Sequence, residues 1–199
     1  MFHGREQKRP ATLRAPAPRT LIVPGIDASP APHWQHWWAQ RDPTALVVEQ
    51  ADWSNPHPDR WEVELGSALL THPGAFLVGH SLGAALILRV LTRWPQLRAS
   101  GALLVAVAEP SRSPRTAAFG PLPEVPLPIP VTVAASRDDP WMDFDRARHL
   151  AHIWGARLVD LGHAGHVNPA SGFGPWPQGP ALRDEMLAEA AAERRRSLP

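Results

Sequence analysis

A chain of 199 residues is long enough for one domain with a substantial core, and its 44% apolar and 20% charged residues are ordinary for a globular protein. A formal net charge of +1 excludes a field strong enough to select nucleic acid or an anionic membrane. The absence of cysteine excludes disulfides, thiolate metal sites and cysteine nucleophiles. No apolar run approaches the length of a signal peptide or a membrane span, so we expect a cytoplasmic protein.

The basic residues cluster near both ends of the chain, where we interpret them as solvated termini. Residues 1–18 are rich in proline and charge and are predicted to form a flexible arm. Residues 191–199 are predicted to form a basic tail. These two predictions leave a single domain over residues 19–190.

From residue 19 onward, short apolar runs alternate with longer stretches of helical period. The predicted strands are Arg19–Val23, Thr44–Gln50, Ala75–Val78, Gly101–Ala106, Val131–Ala135 and Arg157–Leu161. The predicted helices are His33–Gln40, Pro58–Leu70, Leu82–Trp94, Phe144–Trp154 and about Pro180–Arg195, with Asp143 and Gly155 as candidate caps of the fourth. Most strands are continuously apolar, which indicates burial on both faces. The sequence therefore predicts an α/β fold with a parallel sheet of about six strands between two layers of helices.

One connection breaks this alternation. The segment Glu109–Pro130 contains seven prolines in 22 residues and is not expected to form a regular helix. It is also too short for a separate lid domain. We therefore expect a site beneath it to be fairly open to solvent.

The run Gly79-His80-Ser81-Leu82-Gly83 fits the G-x-S-x-G pattern, which is weak evidence alone because so short a pattern recurs by chance. Its context strengthens it, since a predicted strand enters the run and a predicted helix leaves it. The glycines relieve crowding where the serine lies on a sharp turn, and the helix directs free N–H groups towards the serine. We predict that Ser81 is a nucleophile; the alternative is a glycine-flanked helix cap.

A serine hydroxyl needs a base to take its proton and a third group to orient that base. Asp138 and Asp139 follow the fifth predicted strand, and His163 and His166 follow the sixth. Both pairs therefore lie at the carboxyl ends of parallel strands, where open α/β sheets place their sites. Adjacent aspartates point in different directions, so only one can face the histidine. The residues alone leave both choices open.

Hydrolysis also needs donors for a developing oxyanion, and we predict the N–H groups of Leu82 and Ile26 for this role. Gly25 would allow the close approach of Ile26, although Pro24-Gly25 also fits an ordinary turn. Five tryptophans fall near strand ends and are candidates either for an acyl pocket or for the core, namely Trp34, Trp37, Trp53, Trp141 and Trp176. The spacing of His33 and His36 would permit a metal pair, but no carboxylate partner is evident, and we expect no metal.

Several motifs together resemble a known family. They are Val23-Pro24-Gly25 with Ser29, His33-Trp34-Gln35 with Trp38, Ala51-Asp52-Trp53 with Pro56 and Trp61, Gly79–Gly83, Ala135–Pro140, Gly165-His166-Val167-Asn168 and Ser171–Pro177. Over about residues 19–189 the chain is similar to the small serine hydrolases that include the YdeN-like bacterial proteins and the retinoblastoma-binding serine hydrolase of animals. The resemblance leaves out both termini and shows no departure at the positions of the catalytic residues.

The resemblance implies which members of each pair are catalytic. The family's acid directly precedes a proline, which implies Asp139, and its histidine lies in Gly-His-x-Asn, which implies His166. Asp138 is then a neighbour, and His163 a loop residue near substrate. The resemblance further implies an α/β-hydrolase core without a large lid, no cofactor, and hydrolysis of esters or related acyl compounds.

We therefore predict a serine hydrolase, of carboxylesterase type, that cleaves small-molecule acyl substrates through an acyl-enzyme on Ser81. The residues predicted to line its substrate pocket are His80, Trp141, His163 and Trp176. No nucleic-acid partner is expected. The alternatives are thioester or amide hydrolysis at the same residues, and a binding scaffold in which the catalytic residues are idle.

Overall fold

The structure, a computed structural model, describes residues 18–197 and contains one six-stranded parallel sheet in the order β2-β1-β3-β4-β5-β6. The strands are β1 (Thr20–Val23), β2 (Ala45–Val47), β3 (Ala75–His80), β4 (Ala99–Val105), β5 (Val131–Ala135) and β6 (Arg157–Asp160). The register places Val23 of β1 beside Gly79 of β3, so the ends of these two strands lie together. This pairing brings the segment after β1 next to the turn after β3.

Between residues 18 and 197, five α-helices connect and follow the strands: α1 (Trp34–Arg41), α2 (Pro58–Thr71), α3 (Leu82–Arg93), α4 (Phe144–Trp154) and α5 (Gln178–Arg196). They cover both faces of the sheet, and the buried apolar residues accordingly form two separate clusters. One cluster joins the sheet to α2, α3 and α4, with Trp61, Leu86 and Trp154 among its members. The other joins the sheet to α1 and α5 and includes Trp34 and Met186. The predicted three-layer α/β architecture is confirmed.

The element ends differ from the prediction where local pattern is a poor guide. Strand β2 is shorter than Thr44–Gln50; it lies at one edge of the sheet and pairs only with β1, over Ala45–Val47. Strand β3 runs two residues further than predicted, to His80. Helix α5 begins at Gln178 rather than about Pro180 and runs to Arg196, so residues 191–196 of the predicted tail are helical.

The two predicted caps of α4 have different outcomes. Gly155 ends the helix in the left-handed conformation, with φ 66°, as a glycine C-cap does. Asp143 stands at the N-cap position, but its side chain makes no capping bond. Its carboxylate instead pairs with the guanidinium of Arg112.

The proline-rich segment Glu109–Pro130 contains two short 3-10 helices, Pro110–Arg112 and Ala117–Phe119. Residues 1–17 of the predicted arm, and 198–199 of the predicted tail, lie outside the described residues. Within residues 18–197, no helix combines the length and apolarity that a membrane crossing requires.

Candidate active site

Ser81 lies on a sharp turn between β3 and α3, and its backbone has φ 55° and ψ −123°. A non-glycine residue rarely adopts this conformation, so the surroundings must hold it there. Both flanking glycines make room for the turn. A Cβ on Gly79 would lie 2.7 Å from the Cα of Ala84, and a Cβ on Gly83 would lie 2.1 Å from the carbonyl oxygen of Val23. The turn therefore packs too closely for larger residues, which is the physical reason for the pattern.

The structure brings Ser81, His166 and Asp139 into one line. Nε2 of His166 lies 2.8 Å from Oγ of Ser81, and Nδ1 of His166 lies 2.9 and 3.0 Å from the two carboxylate oxygens of Asp139. All three residues are buried. The backbone N–H of Trp141 also donates to Asp139, at 2.9 Å. A carboxylate can only accept, so Nδ1 carries the proton and Nε2 is free to accept the serine hydroxyl.

Asp138 points away from this line and organises the histidine loop instead. Its Oδ1 accepts the N–H of Gly165 at 2.8 Å and the hydroxyl of Ser136 at 2.7 Å. The same Ser136 oxygen accepts the N–H of Ala164, at 2.9 Å. These bonds join the segment after β5 to the segment after β6. The two adjacent aspartates therefore have separate tasks, one on the imidazole and one on its loop.

Three further contacts fix the backbone around His166. Its N–H donates to Oγ of Ser171 at 3.0 Å, and the indole N–H of Trp34 donates to the carbonyl of Val167 at 2.9 Å. Val167 is fully buried and has φ 50°, a left-handed conformation that is costly for a β-branched residue. In the third contact, Nε2 of His80 lies 2.9 Å from the carbonyl oxygen of His166.

Sequence reasoning gave Ser136, Val167 and Ser171 no function, and it considered Trp34 only as a pocket or core residue and His80 only as a pocket residue. The only available signal was that Trp34, Ser136, Val167 and Ser171 fall inside the motifs that carry the family resemblance.

Two backbone N–H groups beside Ser81 are free. Within the described residues, neither the N–H of Leu82 nor that of Ile26 donates to a protein acceptor. The segment that carries Ile26 packs against the serine turn, because a Cβ on Gly25 would lie 3.0 Å from Cβ of Ser81 and 3.3 Å from N of Leu82. Donors placed in this way can stabilise negative charge that develops on a bound carbonyl oxygen.

An open cleft of about 510 Å³ leads to Ser81. Residues from three segments line it: Ile26 and Asp27 after β1, Ser113, Arg115 and Thr116 of the proline-rich segment, and Asn168, Pro169 and Ala170 after His166. Two of the four predicted pocket residues, His80 and Trp141, also line the cleft. Proline, alanine and tryptophan side chains therefore share its wall with a few polar groups.

The other two predicted pocket residues do not line this cleft. Trp176 is only 5% exposed and packs edge-on against Trp34 in the cluster between the sheet and helices α1 and α5. His163 is exposed on its loop near Asp138 and Asp160. Trp176 belongs to the Ser171–Pro177 motif and His163 lies just before Gly165, but neither side chain lines the cleft.

Two buried imidazoles lie behind His166. The ring centres of His33 and His80 are 4.8 Å apart, and those of His80 and His166 are 5.0 Å apart. Burial, together with the neighbouring His166, lowers the pKa of His33 to about 4 and holds the pKa of His80 well below its usual range. Both are therefore neutral near pH 7.

This arrangement provides the groups for acyl transfer: a hydroxyl, a base in contact with it, an acid behind the base, and two free donors. Among residues 18–197 there is no group of three or more histidine, aspartate or glutamate side chains close enough to hold a metal ion.

Comparison with known proteins first identifies the fold class of the protein. The fold is that of the α/β hydrolases, and one solved example is MGS-M2, an α/β-hydrolase enzyme from a deep-sea metagenome library. Its structure superposes with a TM-score of 0.61 over 79% of this chain and 85% of its own, at 13% identity, which shows the fold alone.

The family follows from the sequence. The family model described as serine hydrolase matches residues 20–185, and the chain belongs to this family. YdeN of Bacillus subtilis (strain 168), a hydrolase by name, is 30% identical over 177 residues, which cover 80% of this chain and 90% of YdeN. The crystal structure of a protein from Pectobacterium atrosepticum, named as a YdeN-like hydrolase, is 34% identical and has a TM-score of 0.78 over 86% of this chain and 91% of that one. The resemblance found in the sequence is confirmed.

Proposed function

We propose that this serine hydrolase cleaves small, uncharged carboxylic esters through an acyl-enzyme on Ser81. The observation that carries the proposal is the continuous contact from Asp139 through His166 to Ser81, beside two free backbone donors. A binding scaffold has no need of this alignment. The alignment requires positive φ angles at Ser81 and Val167, which are energetically unfavourable for residues other than glycine.

In the first half-reaction, Oγ of Ser81 attacks the ester carbonyl as Nε2 of His166 takes the hydroxyl proton. The carbonyl oxygen becomes an oxyanion that accepts hydrogen bonds from the N–H groups of Leu82 and Ile26. The C–O bond to the alcohol then breaks, and His166 donates the proton to the leaving oxygen. Asp139 holds the imidazole in the tautomer that accepts at Nε2 and stabilises its protonated form.

In the second half-reaction, water attacks the acyl carbonyl and His166 takes one of its protons. The same two N–H groups bind the second oxyanion. The bond to Oγ of Ser81 breaks, and His166 returns the proton to the serine. The carboxylic acid leaves, and the enzyme is ready for another substrate without any cofactor.

The composition of the cleft supports an uncharged substrate. Its arginine, Arg115, is already paired with Asp27, and its two imidazoles besides His166 are neutral near pH 7. No unpaired charged side chain of the described cleft residues is therefore offered to a substrate. The small alanine and proline side chains and Trp141 favour a compact apolar acyl or alcohol group.

Labelling with a fluorophosphonate probe, followed by intact-mass measurement, tests the proposal on the full chain. We expect one adduct on the wild-type protein and none on Ser81→Ala, because the probe reacts only with an activated serine. Ser67→Ala is the control, since Ser67 is exposed on α2 and does not line the cleft, and it should label like the wild type. A folded wild-type protein that takes up no adduct would contradict an assembled site and favour a binding scaffold.

Matched ester, thioester and amide substrates with the same acyl group then test the reaction class. We expect the ester to have the highest kcat/KM, and Ser81→Ala to lower it by about four orders of magnitude or more. A preference for the thioester or the amide would leave Ser81 as nucleophile but overturn the assignment as a carboxylesterase.

A further inference from the structure

A single arginine joins three segments at the mouth of the cleft. Nη1 and Nη2 of Arg115 donate to the two carboxylate oxygens of Asp27, at 3.0 and 2.7 Å. Nη2 also donates to the carbonyl of Ser54, at 2.7 Å. Arg115 belongs to the proline-rich segment, Asp27 to the segment after β1, and Ser54 to the connection between β2 and α2. The guanidinium thus links the proline-rich segment to the two segments that carry Asp27 and Ser54.

The segment that Arg115 holds is strained and precedes α1. Asp27 and Ala28 both have left-handed backbone, with φ 62° and 63°, although neither is glycine. Such conformations cost energy and persist where other contacts fix them. The contacts here are the Arg115 pair, the bond from the N–H of Asp27 to the carbonyl of Trp53 at 2.9 Å, and the bond from the N–H of Ala28 to the carbonyl of Gly25 at 3.2 Å.

Ile26 lies directly between this strained pair and the serine turn. Gly25 approaches Ser81 so closely that an added Cβ would be 3.0 Å from the serine Cβ. The N–H of Ile26 has no acceptor within the described residues, so no hydrogen bond of its own fixes its direction. It shares a planar peptide unit with the carbonyl of Gly25, which accepts the N–H of Ala28 at 3.2 Å, so its orientation depends on the turn that contains Asp27.

We propose that Arg115 is a positioning residue that holds Asp27 and, through it, keeps the N–H of Ile26 aimed at the reacting carbonyl oxygen. The inference rests on the proposed function, because it assigns a task within the same reaction. Asp27 uses both Nη groups of Arg115, so the guanidinium acts on the loop and not on a substrate anion. Its planar fork matches a carboxylate in a way that a lysine ammonium cannot.

The exposure of this pair makes its action sensitive to salt. The side chains of Arg115 and Asp27 are 50% and 55% exposed, so ions in solution can screen their attraction. An ion pair without a role in positioning would affect neither kcat nor KM. A pair that orients an oxyanion donor affects kcat more than KM, because that donor acts mainly in the transition state.

The test compares Arg115→Gln, Asp27→Asn and the double variant in hydrolysis of the neutral ester p-nitrophenyl acetate. We expect each single variant to lower kcat by about three- to tenfold with KM nearly unchanged. The double variant should be no worse than either single one, because both remove the same contact. Arg115→Lys should retain only part of the activity. Arg157→Gln removes a similarly exposed pair with Glu185, whose residues do not line the cleft, and should match the wild type.

The dependence of kcat on salt concentration separates a positioning role from a merely structural one, which would leave kcat unchanged. Raising NaCl from about 0.05 M to about 0.5 M should lower wild-type kcat towards that of Arg115→Gln and leave the variant unchanged. Melting temperatures measured in parallel show whether each variant is folded. The rate of fluorophosphonate labelling repeats the comparison without an ester, because the probe also forms an oxyanion-like transition state.

Three results would overturn the proposal: unchanged kcat in folded Arg115→Gln, additive losses in the double variant, or a change in KM confined to an anionic ester such as a hemisuccinate. The last result would make Arg115 a substrate-binding residue. Failure of the proposed function looks different, since the wild-type protein would then neither label nor hydrolyse. If the wild type is active and Arg115→Gln equals it, only the role of Arg115 is wrong.

Discussion

The imidazole of His80 donates a hydrogen bond to the backbone carbonyl of His166, 86 residues further along the chain, at 2.9 Å. A carbonyl can only accept, so Nε2 of His80 carries the proton. Burial and the neighbouring imidazoles hold the pKa of His80 well below its usual range, which keeps the ring neutral. His80, next to the proposed nucleophile, thus supports the backbone of His166, the proposed base.

Replacing His80 should therefore affect catalysis through the position of His166. His80→Phe keeps a ring of similar size against His33 and Trp34 but removes the donor. We expect kcat to fall about tenfold, because the histidine loop loses one of the bonds that fix it. His80→Gln, whose amide N–H can replace the donor, should recover part of the loss. Equal kcat values for His80→Phe and the wild type would show that the bond has no part in catalysis.

The two adjacent aspartates offer a matched comparison. Asp139→Asn keeps the shape of the side chain but no longer favours the imidazole tautomer that accepts at Nε2, so kcat should fall by about three to four orders of magnitude. Asp138→Asn retains an oxygen for Gly165 and Ser136 and should lose less than about tenfold. Both are measured by ester hydrolysis, with melting temperature as the folding control. The reverse order of effects would exchange the two roles.

These aspartates also show how far sequence alone leads. The strand and helix pattern predicted the sheet, its helices and the turn at Ser81, because buried parallel strands and a glycine-flanked elbow leave strong local signals. Loops carry no such periodicity, so the choice between Asp138 and Asp139 needed a family resemblance. That choice stays a prediction about catalysis, although the geometry places Asp139 against His166.

The directions of the side chains could not be predicted from the sequence. Trp176 lies inside one motif and Trp141 directly follows another, yet the first packs in the core and the second faces the cleft. The contact of Arg115 with Asp27 spans 88 residues and joins two loops, so no local pattern could indicate it. Such contacts depend on how loops close over a completed sheet, and only the three-dimensional structure contains that information.

Gly25 tests the close approach of the segment after β1 to the serine turn. In Gly25→Ala the added Cβ would lie 3.0 Å from Cβ of Ser81 and 3.3 Å from N of Leu82, which is tight enough to push the two chains apart by a few tenths of an ångström. We expect kcat to fall by about ten- to a hundredfold with little change in melting temperature, because the shift displaces the donors of the proposed oxyanion hole. Gly174→Ala is the control, since nothing lies within 4 Å of its added Cβ. Equal activity of both variants would contradict this packing.

The buried His33 should make the free energy of unfolding depend on pH. Its pKa is lowered from 6.5 to about 4 in the folded chain, so between these values the unfolded chain binds a proton that the folded chain does not. Stability therefore falls as the pH drops below about 6.5 and stops falling on this account below about 4. For His33 alone, the loss between pH 7 and pH 5 is ~2 kcal/mol. The lowered pKa of His80 adds to the loss in the same direction.

Urea unfolding of the wild type and His33→Asn at pH 7 and pH 5 measures this contribution. Nδ1 of His33 accepts the N–H of Gln35 at 3.1 Å and caps α1, and asparagine is also a favourable N-cap that does not titrate. The variant should therefore lose about 2 kcal/mol less than the wild type between the two pH values. A wild-type loss equal to that of the variant would mean that His33 takes up its proton equally in the folded and unfolded chains, which its burial against His80 argues against.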